Sequence, residues 1–132
     1  MNLFNNKKTS TRRILVVEDD AMLSRVLTEA LKKDKFKIEI VANGSEVLAA
    51  VARFAPALIL LDLVIPGIDG FEVLKQLKAD SKTAAIPVVV LSNLDQPSDV
   101  KAVKALGADQ YFLKATTKMD VIIQFVKDRL NK

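Results

Sequence analysis

The sequence contains no cysteine and no histidine. Without cysteine there are no disulfides and no thiol nucleophile; without either, zinc sites of the usual ligand types and Ser-His-Asp triads are excluded. A cysteine-free chain fits any compartment, the cytoplasm most simply. No run of about 18 apolar residues is present, so no membrane span is expected. Met1 to Arg13 is polar and basic with no apolar core, so it is not a secretory signal. There is no internal repeat, no low-complexity segment and no second domain. The net charge is +4, with a cluster at Lys7, Lys8, Arg12 and Arg13. A nucleic-acid surface would want a denser patch or a recognition motif, and neither is present. The cluster reads as a solubilising tail.

What is present fills one domain. The chain has 132 residues, half of them hydrophobic, enough for a real core. Residues 1–12 read as a flexible basic N-terminal tail and 13–131 as the domain. In the domain, short apolar runs alternate with helical periodicity five times. Strands are expected near residues 14–17, 37–41, 57–61, 87–91 and 111–113. Helices are expected to begin near Asp20, Asn43, Asp69, Asp95 and Thr117. Asn43 with Glu46, Asp69 with Glu72 and Thr117 with Asp120 have capping-box spacing. Gly107 reads as a helix stop. The runs at 14–17, 57–61 and 87–91 are unbroken apolar, as in strands covered on both faces. Lys37-Ile38-Glu39-Ile40-Val41 alternates and Tyr111-Phe112-Leu113 is short, as at sheet edges. This is an α/β chain of flavodoxin-like (βα)5 type: a five-stranded parallel sheet in order 2-1-3-4-5, helices on both faces.

In such a sheet the C-terminal strand ends converge, and the polar residues there form a set. Glu18-Asp19-Asp20 follows the first strand, Asp62 the third, Ser92 the fourth and Lys114 the fifth. Singly, these residues have plain explanations: a helix cap, a turn former, a solvated strand-end lysine. Asp62 resists one, because an acid directly after five apolar residues needs a partner. Together they have the chemistry to hold a divalent cation and a phosphoryl group. Mg²⁺ takes hard oxygen ligands, here Asp19, Asp62 and the Val64 backbone carbonyl, with Glu18 holding a metal-bound water. Asp62 is then a nucleophile of the aspartyl-phosphate type. Lys114 and the Ser92 hydroxyl would stabilise the phosphoryl oxygens. With no histidine, the chain cannot carry phosphohistidine, so the donor is another molecule.

These stretches, Ile14 to Asp20, Leu61 to Gly70, Pro87 to Ser92 and Gly107-Ala108-Asp109 leading to Lys114, resemble the receiver domains of two-component response regulators over roughly residues 12–131. The resemblance implies Glu18 and Asp19 as the acidic pair, Asp62 as phospho-acceptor, Ser92 and Tyr111 as the switch, and Lys114 as the family's lysine. It implies Mg²⁺ as cofactor and a histidine kinase or phosphotransfer protein as donor. It also implies a partner protein read through the helix 4–strand 5–helix 5 face, with phosphorylation-dependent dimerisation as a further use of that face. In the last helix, Val121 and Phe125 either pack under neighbouring loops or form part of such a patch. The chain ends directly behind that helix, so the expectation is a single-domain regulator, a switch rather than an enzyme, without an attached output domain. One departure stands out: Ala115 follows Lys114 where the family usually has a proline in a cis peptide. A cis non-proline bond costs about 3 kcal/mol, so the loop either bears that cost or takes a trans path that shifts Lys114. Two other functions suit the fold. An aspartate-nucleophile phosphatase wants an acid two residues after the nucleophile, where this chain has Val64. A flavin- or nucleotide-binding module wants a first loop rich in Gly, Ser and Thr, where this chain has three acids.

Overall fold

A computed structural model describes residues 12–131. Strands β1 (Arg13–Val17), β2 (Lys37–Val41), β3 (Leu58–Leu61), β4 (Val88–Ser92) and β5 (Gln110–Leu113) alternate with helices. These are α1 (Ala21–Lys33), α2 (Val47–Phe54), α3 (Gly70–Ala79), α4 (Pro97–Ala105) and α5 (Met119–Leu130). The strands form one parallel sheet in the order β2-β1-β3-β4-β5. β3 and β4 are buried at every position, whereas β5 is half-buried throughout and β2 exposes Lys37 and Ile40. The apolar runs therefore lie at the centre and the mixed ones at the edges, because only central strands are covered on both faces.

Alternate side chains of each strand enter two separate cores. Leu15, Val17, Ile59, Leu61, Val88 and Val90 face α2, α3 and α4. Ile14, Val16, Leu58, Leu60, Val89 and Leu91 face α1 and α5. Phe125 belongs to the second core, its ring edge-on to Phe112 with centroids 5.6 Å apart. Packing thus accounts for Phe125, while Val121 stands exposed.

Helix starts follow the capping residues in three places. Asp20 accepts from the Met22 and Leu23 amides, Asp69 from Glu72, and Asn43 from Ser45. Asn43 caps a single 3-10 turn, Gly44–Glu46, and α2 begins only at Val47. Two expected starts move. The cap of α4 is Gln96, because Pro97 supplies a preset φ at the first helical position. The cap of α5 is Lys118, without a side-chain cap bond, so Thr117 is not the capping residue. Gly107 ends α4 with φ of +105°.

Residues 1–11 of the expected tail lie outside the described residues. Arg12, the last of that stretch, is held: its guanidinium donates to the Asp34 carbonyl and lies 4.1 Å from the centre of the Phe36 ring. Among the described residues no helix is long and apolar enough to cross a membrane.

Candidate functional site

Strand register brings the polar strand ends together. Val17 pairs with Leu61 and Leu61 with Val90, while Ser92 pairs with Leu113. The residues just beyond these positions, Glu18, Asp62 and Lys114, emerge at one edge of the sheet. Backbone bonds extend the sheet past the strand ends: Asp62 donates to the Val17 carbonyl at 3.0 Å and Lys114 to that of Ser92 at 2.9 Å.

Asp62 is buried, 5% exposed, and both of its carboxylate oxygens are engaged. Oδ1 accepts from the Val64 amide at 3.1 Å and Oδ2 from Lys114 Nζ at 2.9 Å. The same ammonium lies 2.7 Å from Glu18 Oε1. Glu18 is also buried, and its other oxygen accepts from the Asp20 amide at 3.0 Å. Glu18, Asp19 and Asp62 each place one carboxylate oxygen within 4.8 Å of the others. The donor set is hard oxygen throughout and partly desolvated, which suits a small divalent cation.

The electrostatics follow from this crowding. Burial pushes the Glu18 carboxyl above its usual pKa, against the opposing pull of its bonds to Lys114 and to the Asp20 amide. Burial acts to lower the Lys114 pKa, but the hydrogen bonds and charges of Glu18 and Asp62 outweigh it and raise the pKa above the usual lysine value. Lys114 therefore stays an ammonium that ties two of the three acids together.

A shallow cleft of about 340 Å³ opens above these groups, lined by Glu18, Asp19, Asp20, Asp62, Val64, Asn93, Leu94 and Lys114. Ser92 is fully buried and does not line it. Its hydroxyl accepts from the Leu94 amide at 3.1 Å. Tyr111 packs against the core under α2, α3 and α4, and its hydroxyl donates to the Leu94 carbonyl. One backbone residue thus joins the two expected switch side chains. No sequence signal marks Leu94 for that role, because the contacts are made by its backbone.

The structure therefore gathers Glu18, Asp19, Asp62 and Lys114 directly, with Val64 on the rim and Ser92 and Tyr111 linked through the adjoining loop. The Lys114–Ala115 peptide is trans, since the described residues contain no cis bond. Lys114 reaches both carboxylates on that path. Two glycines beside the site, Gly44 and Gly70, have no role in the sequence reading, because what demands them is space. A Cβ on Gly70 would stand 2.5 Å from the Asp62 carbonyl oxygen and one on Gly44 1.7 Å from that of Ile68. The geometry gives no support to the other two functions. The side chain two residues past Asp62 is the exposed valine, not an acid, and the first loop presents carboxylates where a phosphate cradle needs free amides.

The arrangement has known counterparts. The family model of the response regulator receiver domain matches residues 14–127. The DNA-binding response regulator MtrA of Mycobacterium tuberculosis is 36% identical over 124 residues, covering 94% of this chain and 53% of MtrA. The chain thus spans about half the length of that relative. Protein PilH of Pseudomonas aeruginosa is 35% identical over 102 residues, 77% of this chain and 84% of PilH. The BeF3-activated N-terminal receiver domain of Klebsiella pneumoniae RstA matches with a TM-score of 0.83 at 28% identity, over 91% of this chain and 99% of that one. With the acidic trio, the buried aspartate and the lysine on one sheet edge, the chain belongs to the response regulator receiver domains, the phosphorylation-activated switches of two-component signalling.

Proposed function

We propose that Asp62 is the phospho-acceptor of this domain, loaded by a histidine kinase or a phosphotransfer protein in the cytoplasm. One observation carries the reading. Asp62, at the end of the central strand β3, is a buried carboxylate that meets the lysine and the open cleft and faces the Glu18–Asp19 pair. In the transfer, an Asp62 oxygen forms a bond to phosphorus as the P–N bond to the donor imidazole breaks, and the electron pair returns to that nitrogen.

Asp19, Asp62 and the Val64 carbonyl would hold Mg²⁺, with Glu18 holding a metal-bound water. The ion supplies charge that lets an anionic nucleophile meet an anionic phosphoryl group. Lys114 serves the same electrostatic end, and its present hold on Asp62 keeps it within reach of the phosphoryl oxygens. Ser92 donates its hydroxyl to a further oxygen, and the inward swing of its side chain releases the Leu94 amide from which its oxygen now accepts. Because Tyr111 holds the other side of Leu94, the change passes to the α4–β5–α5 face. A separate output protein or a second copy of the chain reads that face. Val64 and Leu94 line the cleft beside Asp62 and offer no side-chain group to orient a hydrolytic water, so the aspartyl-phosphate is long-lived for this family.

Intact-mass measurement with a small phosphodonor and Mg²⁺ tests the assignment. A single phosphoryl adduct is expected on the wild type and none on Asp62→Asn. A full adduct on Asp62→Asn refutes Asp62 as the acceptor.

A further inference from the structure

The loop between β3 and α3 carries Asp62 and Val64, and its far limb is gripped by a turn from another part of the chain. The Gly44 amide donates to the Pro66 carbonyl at 2.9 Å. Gly44 is buried, and a Cβ there would stand 1.7 Å from the Ile68 carbonyl oxygen. On the same limb, Gly67 has φ of +80°, and a Cβ on it would lie 2.0 Å from Asn43 Oδ1. Asn43 Oδ1 is itself fixed by the Ser45 amide at 2.8 Å. The turn Asn43–Gly44 and the limb Pro66–Ile68 therefore interlock backbone to backbone. Gly44 is not among the residues with positive φ, so space alone, not dihedral strain, demands glycine there.

From Asn43–Gly44 the contacts reach Pro66 and Gly67, and the chain itself carries the link back through Ile65 to Val64, whose amide holds Asp62 Oδ1. Octahedral Mg²⁺ tolerates little displacement of its ligands. A side chain at position 44 must push the limb away by more than 1 Å to reach an ordinary contact, and the limb carries the Val64 backbone with it. We propose that Asn43 and Gly44 are positioning residues of the metal site: they set the height of the β3–α3 loop, and hence of the Val64 carbonyl, over the acidic trio. This rests on the functional reading above, in which that carbonyl is a ligand.

The test is Mg²⁺ titration by calorimetry and by amide NMR, using Mg²⁺ alone as the probe. Gly44→Ala should weaken binding about tenfold or more while circular dichroism stays native. The Val64 amide should stop responding to the ion while Asp19 still responds. Gly107→Ala serves as a control for lost stability, because it strains the opposite end of the sheet, and its Mg²⁺ affinity should match wild type. A folded Gly44→Ala with wild-type affinity overturns the proposal. If Gly44→Ala does not fold, Asn43→Ala decides, since it frees Gly67 without any clash: several-fold weaker binding supports the proposal and unchanged binding overturns it. Asp19→Ala separates the two levels. If it binds Mg²⁺ like wild type, the ligand assignment itself is wrong.

Discussion

Tyr111 is the chain's one tyrosine, and there is no tryptophan, so its ionisation is a clean optical probe of the loop it shares with Ser92 and Leu94. Burial raises its pKa above the ordinary value of 10.0; the neighbouring Ser92 hydroxyl opposes this, and Asp99, Asp95 and Asp62 add to it. A raised pKa means the folded state keeps the phenol proton longer than the unfolded state. The stability this contributes is intact below pH 10.0 and declines as pH rises past it. Phenolate absorbance should therefore appear at higher pH in native protein than in denaturant, and Tyr111→Phe should flatten the alkaline limb of the stability curve. Coincident titrations with and without denaturant would show that the hydroxyl is not held. Val64 and Leu94 border the cleft beside Asp62. Val64 is 61% exposed, so a polar side chain there meets cleft water without disturbing the core. Val64→Asn and Leu94→Glu should each shorten the life of the phosphorylated protein in Mg²⁺ by several-fold, as a water-orienting group does. Wild-type decay as fast as theirs would remove these two residues as the determinants of lifetime.

Among the helices, α4 is the least anchored. It buries only Val103, whereas α1, α2 and α5 bury three residues each and α3 four. It also lacks a side-chain cap bond. Helical stability in a domain comes mainly from the buried face, so α4 should open at the lowest free energy. It follows the loop that carries Leu94, the residue shared by Ser92 and Tyr111. A local change at that loop therefore meets the element that resists it least. Hydrogen exchange of the unphosphorylated protein should show α4 amides losing protection before those of α1, α3 and α5. If α4 outlasts α3, burial is not what ranks these helices. At the other extreme, α3 starts so close to β3 that a Cβ on Gly70 would stand 2.5 Å from the Asp62 carbonyl oxygen, which ties the Asp62 backbone to a firmly packed helix.

For the molecule as a whole, the site is a local excess of negative charge that a single ammonium only partly offsets. If Glu18, Asp19 and Asp62 hold Mg²⁺ as proposed, the ion would bind the gathered carboxylates of the folded state and not the scattered ones of the unfolded chain. Linkage would then stabilise the domain by about 2.7 kcal/mol when the free ion is a hundredfold above its dissociation constant. For a domain of this size that is a rise of roughly 10 °C in Tm. Thermal unfolding with increasing Mg²⁺ should show this for the wild type, and little or none for Asp19→Ala. An equal rise in both would place the stabilising ion elsewhere.

The sheet order, the central and edge strands and the identity of the polar set could be read from the residues alone, because each rests on local periodicity and on which strands are apolar throughout. Asp62 after Leu61 and Lys114 after Leu113 were legible because strand ends are fixed by where the apolar run stops. The starts of α4 and α5 were less so, since capping spacing competes with Pro97 and with packing of the helix faces. Three matters belonged to the tertiary structure alone. Lys114 bridges Glu18 and Asp62 on a trans peptide, which depends on how the β5–α5 loop is carried by its neighbours. Phe125 packs inward because Phe112, thirteen positions earlier on β5, meets its ring. Gly44 closes on Ile68 and Leu94 joins Ser92 to Tyr111 through backbone atoms. Backbone atoms are the same in every residue, so even where a contact demands a glycine the sequence does not name its partner until the chain is folded.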